Sequence, residues 1–181
     1  MDTTMLVAVV GVVAAVLLVA VVATMLAKAR RTRRLRSRFG SEYARAVNGH
    51  SRRDVEDELL ARQRRVEGYA LRALDDDELR QFRERWRAIR AEFVDRPGEA
   101  VAHADALVAE VMKARGYESA TPLERVEDLS VGHGDEAEEY RLARASAIRN
   151  ANGADSTEEL RQAMIHFERV FAAMLHADPV H

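Results

Sequence analysis

The stretch Asp75–Phe93, DDDELRQFRERWRAIRAEF, settles the fold class of the region around it. Leu79, Phe82, Trp86, Ile89 and Phe93 recur at intervals of three and four residues, with Arg and Glu filling the positions between them. Side chains at that spacing share one face of an α-helix, so the stretch predicts an amphipathic helix with a single apolar stripe. Asp75 and Glu78 supply a capping box at its start, and Leu74 and Leu79 flank it as a hydrophobic staple. Three aromatics on one surface can suggest a binding face. Regular helical spacing instead assigns Phe82, Trp86 and Phe93 to a core.

The same logic extends in both directions. Asp95-Arg96-Pro97 reads as a cap followed by a proline tolerated in the first helical turn. Val101, Ala104, Val108 and Val111, widened by Leu107 and Met112, form the next stripe. Gly116 ends that helix, and Tyr117 is placed to fold back on its last turn. The short Val94–Gly98 connection predicts an antiparallel pair with Trp86 buried between the two helices. Thr121-Pro122-Leu123-Glu124 opens a short helix with Leu123, Val126 and Leu129 inward. Val131-Gly132-His133-Gly134 breaks it. Asp135 opens another helix to about Ala151, with Tyr140, Ala147, Ile148 and Ala151 on one side. Ser156 and Glu159 cap a last one, lined by Leu160, Met164, Phe167, Val170, Phe171 and Met174 and ending near Asp178-Pro179. Upstream, Ser51 with Asp54 starts a helix from Arg52 to about Val66, largely solvated and laced by charge pairs. Leu35, Phe39, Tyr43 and Val47 are spaced by four on one further helical face, interrupted at Gly40-Ser41 and closed by Asn48-Gly49. No segment shows the alternation of a strand. The expected fold is all-α, a small irregular helical bundle.

The chain starts differently. Met5–Leu26 carries no charge for 22 residues, roughly 33 Å as a helix at about 1.5 Å per residue, enough to span a bilayer's hydrocarbon core. Lys28, Arg30, Arg31, Arg33, Arg34, Arg36 and Arg38 follow at once. This reads as a transmembrane helix with a cationic collar on one side, suited to anionic headgroups. Residues 1–4 carry no basic side chain and the run exceeds a signal peptide's apolar core, so an uncleaved anchor is expected. The positive-inside rule then places the collar and all that follows in the cytoplasm and the N-terminus outside. The alternative is an exported domain behind a signal-like segment. Gly11 and Ala15 form a small-x-x-x-small pair of the kind chance supplies in an Ala-rich helix.

Expected boundaries are an anchor over 1–27, the collar over 28–38, membrane-proximal helices and a connection over 39–74, and a helical core over 75–181. Beyond Arg38, 29 Asp and Glu face 21 Lys and Arg, so a domain of net charge −8 follows seven cations. Arg outnumbers Lys 26 to 2 over the chain, but outside the collar the arginines are interleaved with acids, so the acidic domain is not a nucleic-acid binder. The absence of cysteine excludes disulfides, thiol nucleophiles and thiolate metal sites.

Reactive motifs are scarce. Glu99 and His103 lie four apart, a two-ligand metal half-site or, far more often, exposed ion pairs. His176, Asp178 and His181 cluster at a terminus, where preorganisation is poor. Gly132-His133-Gly134-Asp135 could expose a catalytic imidazole, yet no nucleophile or strand precedes it, and a glycine turn between helices accounts for it. Ser130 and Ser146 sit in no serine motif, and there is no P-loop or GxGxxG. No cofactor, no metal and no catalytic residue is assigned, an enzyme without a recognisable motif being kept as the remaining alternative.

Several stretches carry a resemblance: Arg38-Phe39-Gly40-Ser41-Glu42-Tyr43, Glu84-Arg85-Trp86-Arg87-Ala88, Phe93-Val94-Asp95, the run Ala104–Tyr117, Asp128-Leu129-Ser130 and Glu159–Met164. Through them most of the chain resembles a family of uncharacterised actinobacterial membrane or secreted proteins. That family's pattern has Pro where this chain has Ser41, which leaves the juncture after the collar less stiff here. The resemblance implies no activity and transfers no functional residue. The functional expectation is a membrane-anchored helical module that binds a protein partner or scaffolds at the membrane face.

Overall fold

The computed structural model describes residues 17–27, 29–30, 32–33, 35, 39, 43, 47, 51–151 and 156–176. The chain forms two compact units, Met1–Arg38 and Phe39–His181. In the first, residues 17–27 are helical, and Leu17, Leu18, Val19, Val21, Val22, Met25 and Leu26 are all exposed. Among the described residues no helix is long and apolar enough to cross a membrane. Met5 to Val16, the first part of the apolar run, lies outside them, as do Gly40-Ser41, Asn48-Gly49, Asp178-Pro179 and His181.

The second unit is all-α among the described residues. Its helices are α1 (Arg52–Glu67), α2 (Asp76–Glu92), α3 (Pro97–Ala114), α4 (Pro122–Leu129), α5 (Gly134–Ala151) and α6 (Thr157–His176). Phe39, Tyr43 and Val47 are also helical, and Phe39 and Tyr43 are buried. The architecture is a bundle arranged around α3, which packs against α2, α5 and α6. The α5 and α6 helices pair closely, α4 lies on α5, and α1 lies on α4.

The central place of α3 follows from its composition. Ala100, Val101, Ala104, Leu107, Val108 and Val111 are all fully buried, each large one stabilising the fold by about 1.5–3 kcal/mol relative to exposure. Neighbouring helices reach it from several sides because its apolar face is wide. Small residues let α5 approach: Ala137, Ala143 and Ser146 are buried along with Tyr140. The α6 stripe, Leu160, Met164, Phe167, Val170, Phe171 and Met174, is buried as its spacing predicts. Trp86 is buried, with its ring stacked on Phe171 of α6 at 4.7 Å and 14°. Its burial is therefore completed by α6 as well as by α3.

Helix ends follow local chemistry. Capping boxes form at Asp75/Glu78 and Thr121/Glu124. At Ser156/Glu159 each backbone N–H donates to the other's side chain, at 2.7 and 3.3 Å. At the end of α3, Tyr117 N–H donates to Met112 C=O and Gly116 N–H to Lys113 C=O, the paired bonds of a Schellman closure. Gly116 has φ 92°, and a Cβ there would stand 2.4 Å from the Ala70 carbonyl oxygen. The 68–75 connection passes over this point and donates Arg72 N–H to Arg115 C=O at 2.9 Å.

Five local expectations change. Ser51 precedes α1 without a side-chain cap, so extended backbone alone sets that start. Arg96, not Asp95, is the capping position of α3, with Pro97 in the first turn. Leu123 is 67% exposed: six residues before Leu129, it lies about 120° around the helix from the inward side. Ile148 and Ala151 are exposed because α5 turns its small residues, not its largest aliphatic one, toward the bundle. The α1 helix buries more than a solvated helix would, at Val55, Leu59 and Val66, and Glu56 is buried while accepting the Tyr43 hydroxyl at 3.0 Å.

Candidate functional site

The collar is the first site the sequence proposes. Arg30 and Arg33 are helical and exposed, while Lys28, Arg31, Arg34, Arg36 and Arg38 lie outside the described residues. Exposed guanidiniums on a helix just past an apolar run can meet phosphate oxygens at a headgroup layer.

Of the histidine readings, Glu99 with His103 and the Gly132–Gly134 turn lie within the described residues, whereas Asp178 and His181 of the C-terminal cluster lie outside them. Glu99 pairs with Arg96 at 2.9 Å, and His103 Nδ1 meets Glu92 Oε2 at 2.8 Å, so the two do not converge. Among the described residues no group of three or more could hold a metal ion. His176 Nε2 lies 3.3 Å from Arg83 Nη2. Gly132, with φ 108°, makes the turn before α5. His133 closes that turn with its main chain, donating N–H to Leu129 C=O and accepting Ala137 N–H. Burial pushes the His133 imidazole below its ordinary value, with Glu136 raising it and Arg115 lowering it. Ser130 Oγ donates to Glu127 C=O at 2.6 Å, and Ser146 Oγ to Glu159 C=O at 3.4 Å. Both serines serve the backbone.

Sequence reasoning missed the main polar constellation. Asp128, fully buried on α4, accepts Arg65 Nε and Nη2 at 2.8 and 2.6 Å on Oδ1. Its Oδ2 accepts the Tyr69 and Ser119 hydroxyls at 2.8 and 2.6 Å. Arg65 also donates to Glu127 at 3.1 Å. Four donors on one carboxylate tie α1, both connecting loops and α4 together. Partial burial opposes the Arg65 charge, but the hydrogen bonds to Asp128 and Glu127 outweigh it and raise its pKa. Burial and then Asp128 push the Tyr69 phenol up to about 12. The available signal was an Asp immediately before the fully inward Leu129.

A second constellation joins α3, α4 and α5. The Tyr140 hydroxyl donates to Asp105 Oδ1 at 2.8 Å and accepts Arg125 Nε at 3.0 Å. Asp105 Oδ2 accepts Arg144 Nε at 3.0 Å. A third caps α6: buried Arg115 donates Nη1 to Met174 C=O at 3.0 Å. On the surface, Arg85 grips Glu110 with two bonds between α2 and α3, and Glu139 receives both His166 and Arg169.

Among the described residues, three hollows border α3. One hollow between α2 and α3 lies against Ile89, His103 and Ala106. A second, with a volume of about 660 Å³, lies between Arg72, Phe82 and Gly116. A third, of about 310 Å³, lies between the end of α3 and the 117–125 segment. Glu110 borders all three.

Compared with protein families, curated proteins and solved structures, the chain matches none.

Proposed function

We propose that the chain is a single-pass membrane protein, akin to the actinobacterial family it resembles, that holds an acidic helical domain at the cytoplasmic face as a protein-interaction or scaffolding module. One observation carries this reading: 22 uncharged residues, Met5–Leu26, run directly into seven cations with no acid among them. The exposed apolar side chains of residues 17–26 support it, since contiguous exposed apolar surface marks a membrane or partner contact. The domain's largest polar clusters support the non-catalytic half. Asp128, Tyr140 and Arg115 each make hydrogen bonds that join separate elements of the bundle. Tethering would work by confinement, which raises effective concentration without any bond being made or broken.

A reporter fused after His181 tests the topology. Cytoplasmic activity with no activity outside supports the reading, and neutralising the collar arginines should weaken the preference. An active extracytoplasmic reporter would replace it with the exported-domain reading.

A further inference from the structure

We propose that the hollow between the C-terminal half of α3 and the 117–125 segment binds a small organic oxyanion, its charge held by Lys113 and Arg125 and its apolar body resting on Met112 and Tyr117. The inference is independent of membrane tethering.

The charge balance of this hollow runs against that of its domain. Beyond Arg38 the chain is acidic, and Lys113 is the only lysine there. Lys113 is exposed, and among the described residues its ammonium group makes no ion pair or hydrogen bond. Arg125 is half-buried, and its one partner there is the Tyr140 hydroxyl, reached through Nε at 3.0 Å. Burial pushes the Tyr140 phenol well above its ordinary value, so it stays neutral. It fixes the guanidinium without answering its charge. Tyr140 is itself fixed by Asp105, and Asp105 by Arg144. The result is a cation set in position by a relay of three residues, with both Nη groups uncommitted among the described residues. A planar fork of that kind suits a carboxylate or phosphate.

The acids on the wall do not cancel this. Glu110 is committed to Arg85 by two bonds. Ser119 gives its hydroxyl proton to Asp128. Glu118 is exposed and is the one remaining carboxylate lining the hollow. Two free cations against one free acid leave a positive balance.

The remaining surface sets the ligand's body. Ala109, Met112 and Tyr117 line the hollow with apolar atoms, and burial keeps the Tyr117 phenol neutral by pushing its pKa up. The volume is about 310 Å³. A dry cavity of about 150 Å³ already takes benzene, so an aromatic ring with one oxyanion fits.

The test uses the full chain in a non-ionic detergent. Reductive methylation with ¹³C-formaldehyde labels only Lys28, Lys113 and the amino terminus and keeps their charge. Benzoate, phenyl phosphate, inorganic phosphate and benzyl alcohol are titrated in. The Lys113 methyl signal should move saturably with benzoate and phenyl phosphate, more weakly with inorganic phosphate, and not with benzyl alcohol. The Lys28 signal should stay still. Arg125→Met should weaken benzoate binding about tenfold, the loss of one charge-assisted contact. Three results overturn the proposal: no saturable movement by about 10 mM, which small ligands of fair efficiency reach; equal response to benzyl alcohol; or unchanged affinity in a folded Arg125→Met variant. Should that variant not fold, exposed Glu118→Gln decides. Tighter binding by about threefold sustains the site, and unchanged affinity removes it.

Discussion

Asp128 and Arg65 lie 63 residues apart, yet two guanidinium nitrogens of Arg65 converge on one carboxylate oxygen of Asp128 at 2.8 and 2.6 Å. Their exposures differ sharply: the Asp128 side chain is 0% exposed and that of Arg65 is 38%. Removing one partner therefore has unequal consequences. Arg65→Met strands a buried carboxylate with only Tyr69 and Ser119, and should cost about 3–5 kcal/mol. Asp128→Leu leaves a guanidinium that can turn toward water, and should cost less. The double variant should recover much of the Arg65→Met loss. Urea unfolding of the four proteins measures this, and equal single-variant losses would contradict the asymmetry.

The tyrosines predict a fragile alkaline limb. Burial, then Asp128, raises Tyr69 to about 12, and burial raises Tyr117 and Tyr140 as well. For a group whose folded pKa exceeds its unfolded value, the stabilising contribution is intact below the unfolded pKa and is lost as pH climbs through the folded one. Unfolding midpoints should hold up to about pH 10, the ordinary tyrosine value, and fall above it. Tyr69→Phe should flatten that fall. A midpoint that rises between pH 10 and 12 would reverse the sign.

Gly116 combines a left-handed φ of 92° with the Ala70 carbonyl 2.4 Å from where a Cβ would stand. Gly116→Ala then meets backbone on both counts. Positive φ alone costs about 1–3 kcal/mol for a residue with a side chain, and the clash adds to it. Thermal unfolding should drop by several degrees. An unchanged melting temperature would mean that the 68–75 connection can lift away freely.

Trp86 lies flat on Phe171 at 4.7 Å, so its loss should be felt by α6 as well as by α2 and α3. Trp86→Ala should cost about 3–5 kcal/mol. Phe171→Ala should be less than additive with it, because each ring has lost its partner once the other is gone. A Trp86→Ala variant melting within a degree or two of the native chain would place the indole on the surface.

What the sequence made legible was local. The Asp75/Glu78 and Thr121/Glu124 boxes span three residues, and each forms. The Gly116 turn and the stripes of α2, α3 and α6 repeat within one or two turns, so periodicity finds them. The Asp128 cluster joins residues 59 to 63 apart, together with Ser119 only nine away. Nothing in local period encodes which distant donor an inward Asp will meet. The inward side of α5 was misjudged at Ile148 for a related reason. Ala137 and Ala143 are buried while Ile148 is exposed, and bulk alone does not identify a packing face. The hollow beside Lys113 was likewise hidden, because Arg125 and Tyr140 are 15 residues apart on different helices.

The separation of charge sets the last prediction. Seven cations, Lys28 to Arg38, precede a domain with eight more acids than bases. An anionic surface attracts each juxtamembrane cation by about 1 kcal/mol and repels the acidic domain. The two compact units divide at Arg38, close to where the charge changes sign. A chain fragment of residues 39–181 should therefore show negligible affinity for vesicles rich in phosphatidylserine. Extending it to residue 28 should confer binding, and that binding should weaken steeply between 0.05 and 0.5 M salt, as the Debye length contracts from roughly 14 Å toward 4 Å. Vesicle co-sedimentation of both fragments across that salt range measures the difference. Strong, salt-sensitive binding by residues 39–181 alone would mean that the domain presents its cations to the bilayer, and the acidic surface would not stand off from the headgroups for a partner to reach.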